Sequence, residues 1–169
     1  LAAALVGAVG SAPRSAAGRA MAACASSRVA ALAAAVDYLV IAVPGGDNTK
    51  NLIGTSVLQA LGGKGYLINI SRGTVVDQPA LVQALKDKHI AGAALDVFWD
   101  EPMVDPELRR LHNVVLTPHI ASATIPTRLA MANLAADNLL AVFAGKPPLT
   151  PLNPQALNVA NSAKAQGRA

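Results

Sequence analysis

Four short apolar runs, each broken off by Pro, Gly or a polar turn, constrain this chain more than any other feature. Tyr38-Leu-Val-Ile-Ala-Val43 ends in Pro44-Gly45-Gly46, and Gly65-Tyr-Leu-Ile-Asn-Ile70 ends in Ser71-Arg72-Gly73. Ala91 to Val97 runs into a loop rich in Pro and acids, and Val114 to Thr117 stops at Pro118-His119. Runs this short, bounded by turn formers, read as buried strands. Helical stretches separate or follow them: about Thr55 to Leu61, Gln78-Pro79 to about Lys88 with Asp77 placed as its cap, and about Ile125 to Ala144, begun by Thr124 and stopped by Gly145 and Pro147. Strands apolar on both faces that alternate with helices build a parallel sheet covered on both sides, so the expected fold is α/β and doubly wound.

Composition supports this and narrows the function. With 169 residues the chain can bury one real core, and aromatics are only 3%, so that core must come from Val, Leu, Ile and Ala. Residues 1–36 read differently from the rest: they hold 16 Ala, three Arg and no acid. They are expected to form an atypical Ala-rich segment, a disrupted first βαβ unit, which leaves the sheet incomplete at its N-terminal side. An acid-free, Arg- and Ser-bearing leader also resembles a transit peptide, but no domain boundary follows it. Residues 37–153 make the folded domain, and 154–169 form a polar, disordered tail.

The net charge of +4 sits mostly in that first segment, leaving 11 basic against 10 acidic residues from Asp37 onward. No basic stripe with interleaved aromatics remains, so a nucleic-acid partner is not expected. The lone Cys24 excludes an internal disulfide, and no Cys/His cluster has metal-ligand spacing, so no metal is expected. The longest apolar stretch, Val29 to Val43, is interrupted by Asp37 and falls short of the roughly 20 residues of a membrane span. A reducing, cytoplasmic location fits.

Ligands of doubly wound sheets sit beyond the carboxyl ends of the strands. Arg72, Asp96 with Glu101, and His119 each follow such an end. They belong to four ordered segments, Asn69-Ile-Ser-Arg-Gly-Thr-Val-Val-Asp77, Ala94-Leu-Asp-Val-Phe-Trp-Asp-Glu-Pro102, Asn113-Val-Val-Leu-Thr-Pro-His119 and Ile120-Ala-Ser-Ala-Thr124. From about Asp37 to Asn153 the chain resembles the Rossmann-like cofactor domain of the D-isomer-specific 2-hydroxyacid dehydrogenases, particularly their glyoxylate/hydroxypyruvate and 2-ketogluconate reductase branch. Several linked motifs in order are far more specific than one Gly-rich loop.

The resemblance implies an oxidoreductase that uses NAD or NADP to reduce a small 2-oxo acid (glyoxylate, hydroxypyruvate or 2-ketogluconate) to its D-2-hydroxy acid. Arg72 would pair with the substrate carboxylate and carbonyl oxygen through its planar fork. His119 would protonate the forming alkoxide, with Glu101 fixing its tautomer and favouring its charged form. Asp96 would face the nicotinamide end of the cofactor, and Val43, Pro44, Ile70, Ser71, Arg72, His119, Ala121 and Ser122 complete the expected cofactor contacts. A homodimer formed through the cofactor domain is implied for the complete enzyme.

Each residue alone has a plainer reading. An Arg after a strand is usually a surface charge, and a His after Pro usually makes a local hydrogen bond. His89 and His112 are read that way, and Asp105, Glu107, Arg109 and Arg110 as a solvated face; Phe98 and Trp99 could line the site or pack the core. The chain also departs from the family pattern. Gly7-Ala-Val-Gly10 lacks the G-x-G-x-x-G spacing, no acid precedes Asp37 to hold an adenosine ribose, and Ala121 stands where many relatives have Gly. The alternative is therefore a catalytically inactive fragment or a noncatalytic dehydrogenase-like binding module. The intact Arg, Glu and His favour the enzyme.

Overall fold

The computed structural model describes residues 3–6 and 27–155. Among the described residues five parallel strands form one sheet in the order β1 (Ala3–Val6), β2 (Tyr38–Ile41), β3 (Tyr66–Asn69), β4 (Gly92–Leu95) and β5 (Val114–Leu116). The helices are α1, of which residues 27–33 are described, α2 (Thr55–Leu61), α3 (Gln78–Lys86), α4 (Pro106–Arg110) and α5 (Ile125–Phe143). Parallel neighbours require crossover connections, and helices supply them between β2 and β3 and between β3 and β4. The doubly wound α/β expectation therefore describes the sheet.

Two features go beyond the sequence expectation. The first is β1, paired with β2 in the register Ala3↔Tyr38 to Val6↔Ile41. The segment 1–36 thus contributes a strand and the helix over 27–33, whereas the sequence offered only four strands. Four residues with two alanines are too short to carry a periodic signal, and parallel pairing uses backbone groups that composition does not reveal. Gly7, Gly10, Arg14, Arg19 and Cys24 lie outside the described residues. So does the expected tail, except for 154 and 155, which are helical.

The second is α4, in a stretch read as solvated. The Asp105 side chain caps it by accepting from the Glu107 amide at 2.7 Å, and Leu108 is buried. Gln78 donates to Asp105 at 2.8 Å and Lys86 pairs with Glu107 at 2.9 Å, so α4 is tied to α3.

Leu39, Ile41 and Leu67 from the strands pack with Val57 and Leu58 of α2 and Leu81 and Leu85 of α3, all essentially fully buried. The largest fully buried side chains are Leu, Ile and Val together with Asn69, which is the aromatic-free core that the composition demanded. Tyr38 and Tyr66 are directly paired across β2 and β3, and their rings stack with centroids 5.3 Å apart, a cross-strand contact that helps set the register.

The chain divides into two compact units, Leu1–Ala121 and Ser122–Ala169. The sheet and α1 to α4 make up the first. In the second, Thr124 caps α5 by accepting from the Thr127 amide at 3.3 Å, and Gly145 follows the helix with φ +72°, so both ends fall where the sequence placed them. Among the described residues no helix is long and apolar enough to cross a membrane.

Candidate active site

Register aligns the site. Ile41, Asn69, Leu95 and Leu116 form one row across β2 to β5, so the residues just after them emerge side by side at the carboxyl edge. Val43, Pro44, Arg72, Glu101 and His119 come together there on a cleft of about 730 Å³, with Gly45, Gly46, Gly73, Thr74, Phe98 and Trp99 completing its lining.

The Arg72 turn is braced from beneath. Buried Asn69 accepts from the Ser71 amide at 3.0 Å and donates to the Arg72 carbonyl at 3.1 Å, which closes the turn immediately after β3. The Ser71 hydroxyl donates to the Val43 carbonyl, tying the turn to the end of β2. Ser71 is therefore a buried strand tie rather than an open cleft residue. Arg72 is exposed, and its guanidinium spends one of its five N–H donors on the Ser71 carbonyl at 2.7 Å.

Two glycines make this turn possible. A Cβ on Gly73 would lie 2.0 Å from the Phe98 carbonyl carbon and 2.4 Å from the Trp99 nitrogen. A Cβ on Gly45 would lie 2.6 Å from Cγ of Arg72. Only the missing side chains let backbone and arginine pass this closely. Trp99 is held in turn by its indole N–H donating to the Val76 carbonyl at 2.7 Å, with the Lys50 ammonium 5.5 Å from its ring centroid.

His119 and Glu101 form the pair expected of them. Nδ1 of His119 lies 2.7 Å from Oε2 of Glu101, whose other oxygen accepts from the Phe98 amide at 2.9 Å. The His119 hydrogen bond, the Phe98 amide and the nearby charges of His119 and Arg72 outweigh burial and hold the Glu101 carboxyl below its usual range. His119 itself adopts φ +53°, a left-handed conformation uncommon outside Gly.

Asp96, buried at the end of β4, lies beneath this turn and accepts from Thr117 Oγ1 at 2.5 Å and from the amides of Ile120 and Ala121 at 2.9 and 2.8 Å. Burial alone would raise its pKa, but these three bonds and the field of His119 together lower it. Ile70, 46% exposed, and Ala121 are not among the cleft-lining residues; Ser122 is exposed and opens the second unit. The sequence reading passed over Asn69 and Thr117 as site residues. Their signal was present: a polar residue interrupting a buried run, and a hydroxyl opposite an Asp at the adjacent strand end. Among the described residues no cluster could hold a metal ion.

Comparison with known proteins places the domain in a family. Residues 4–121 match the family model for the D-isomer specific 2-hydroxyacid dehydrogenase NAD binding domain, a match that takes in all but the first residue of β1. The chain is 53% identical over 122 residues to a 2-ketogluconate reductase of Gluconobacter oxydans, covering 72% of this chain and 39% of the relative. It is 51% identical over 116 residues to a glyoxylate/hydroxypyruvate reductase A of Arabidopsis thaliana, covering 69% of this chain and 37% of that one. Among solved structures, an NADPH-dependent glyoxylate/hydroxypyruvate reductase of Sinorhizobium meliloti, in complex with NADP and malonate, aligns with a TM-score of 0.71 at 49% identity, over 73% of this chain and 39% of that one. The chain spans about two fifths of the length of these relatives. A family match over more than half the chain, together with an Arg, a His–Glu pair and an Asp gathered at the carboxyl edge of a parallel sheet, makes this chain a member of the D-isomer specific 2-hydroxyacid dehydrogenase family.

Proposed function

We propose that this chain carries the cofactor-side half of an active site that reduces a small 2-oxo acid to the D-2-hydroxy acid with NADH or NADPH. The observation that carries the reading is the His119–Glu101 pair at 2.7 Å on the same cleft as Arg72. Glyoxylate, hydroxypyruvate and 2-ketogluconate are the substrates to test, because the relatives' names specify them.

The residues present suit the nicotinamide end of such a cofactor. Val43 and Pro44 offer apolar wall, and Gly45 and Gly46 leave the backbone bare. When bound, the cofactor supplies the hydride to the carbonyl carbon. Arg72 holds the substrate carboxylate and the carbonyl oxygen through its fork, fixing the carbon for attack. Protonated His119 passes a proton to the oxygen as the C=O bond becomes C–OH, and it recovers that proton in the reverse direction. Glu101 keeps the ring oriented and stabilises its cation while the substrate binds.

A homodimer built through the cofactor domain and a cytoplasmic location belong to the same proposal. They rest on the family resemblance and on the absence of a disulfide framework, the chain having one cysteine. Calorimetric titration with NADH and NADPH, followed by glyoxylate-dependent oxidation of whichever binds, tests the enzymatic reading. Micromolar binding with turnover that is lost in His119→Gln supports it. A folded chain that binds neither cofactor would be a noncatalytic member of the family.

A further inference from the structure

We propose that Asp96 is a positioning residue that latches the His119 turn, bonding the chain on both sides of His119 and so holding the imidazole on Glu101. The catalytic consequence of this latch rests on the proposed role of His119; the latch itself rests on geometry.

Leu95 and Leu116 are register partners, so Asp96 and Thr117 are the first residues past the ladder on adjacent strands. Oδ1 of Asp96 accepts from the Thr117 hydroxyl at 2.5 Å and the Ile120 amide at 2.9 Å, and Oδ2 accepts from the Ala121 amide at 2.8 Å. One bond thus precedes His119 and two follow it. The Asp96 side chain makes no bond to His119, whose imidazole is turned to Glu101.

A turn of this shape needs holding. His119 has φ +53°, where a side chain is disfavoured, and its amide donates to the Thr117 carbonyl two residues back at 3.0 Å. Pro118, His119 and Ile120 are exposed, so packing does little to keep the turn in place, and the buried carboxylate is its anchor. Hydrogen bonds to an ionised acceptor are the strong kind, and three converge here. An Asn at this position could accept on one oxygen only, and its NH2 would face one of the donors.

The test uses the 169-residue chain by NMR, with Asp96→Asn and Thr117→Val beside Glu101→Ala, which removes the acceptor of the imidazole directly. Asp96→Asn should speed hydrogen exchange at the Ile120 and Ala121 amides about ten-fold or more, the scale of one lost charged hydrogen bond. Exchange at Ile68 within β3 should stay unchanged. The Nδ1 resonance of His119 should move toward its position in Glu101→Ala, and Thr117→Val should shift both readouts less but in the same direction. Wild-type exchange at 120 and 121 in Asp96→Asn overturns the latch, as does faster exchange with the Nδ1 resonance unmoved. Should Asp96→Asn not fold, Thr117→Val decides alone: a change in both readouts supports the latch, and no change in either one overturns it. Neither readout needs cofactor or substrate, so a chain that binds no cofactor sinks the enzymatic reading and leaves the latch to be judged by itself.

Discussion

His119 and Arg72 depend on different neighbours, and the two sets fail differently. Replacing His119 by Gln removes the proton donor but keeps the ring's approximate volume, so turnover of a 2-oxo acid should fall about 10²–10⁴-fold while cofactor binding persists; steady-state kinetics beside calorimetry would show the split. Arg72 depends on space. Gly73→Ala forces a methyl into the Phe98–Trp99 backbone and should cost about 1–3 kcal/mol or more in urea unfolding, the range for overpacking. Gly54→Ala is the control, since its nearest neighbour would be the Asn51 carbonyl oxygen at an ordinary 3.8 Å. Equal losses at both positions would refute the close-approach account.

Each loop inherits its position from the element before it. The turn after β3 leads through the 3-10 turn Gly73–Val75 to Asp77, which caps α3 by accepting from the Ala80 amide at 3.1 Å, with Pro79 in the first turn. Asp77→Ala should therefore cost about 1 kcal/mol, the usual loss of a cap, seen as a lower urea midpoint with unchanged slope. Both cap and helix were legible in the sequence because capping is local chemistry. The sequence strands ran one to three residues longer than the paired ladders, since apolarity continues into Val43 and Val97, which are buried but no longer paired. α4 was not legible: five residues carry no period, and its links to α3 through Gln78 and Lys86 join residues 27 and 21 positions apart.

At the scale of the whole molecule, acid stability and association are the expected readouts. Asp96 and Glu101 both have folded pKa values below their ordinary 3.8 and 4.5, so the unfolded chain takes up their protons first. Their contribution is complete above those ordinary values and is lost as the pH falls through the lower folded ones. Unfolding free energy should decline below about pH 4.5, and Asp96→Asn should flatten part of that slope in acid titrations followed by circular dichroism. α5 buries none of its residues, and Leu139, Leu140 and Phe143 are 54%, 63% and 77% exposed, an apolar surface that should drive self-association. A monodisperse monomer in light scattering at high concentration would refute this. The sequence by itself determined the alternation of strand and helix, the caps and the order of Arg72, Asp96, Glu101 and His119, because those follow from local periodicity and motif spacing. Only the tertiary structure decided that β1 joins the sheet and that Asn69 and Asp96 brace the two turns. These depend on register and on hydrogen bonds between residues far apart in the chain, which one-dimensional patterning does not encode.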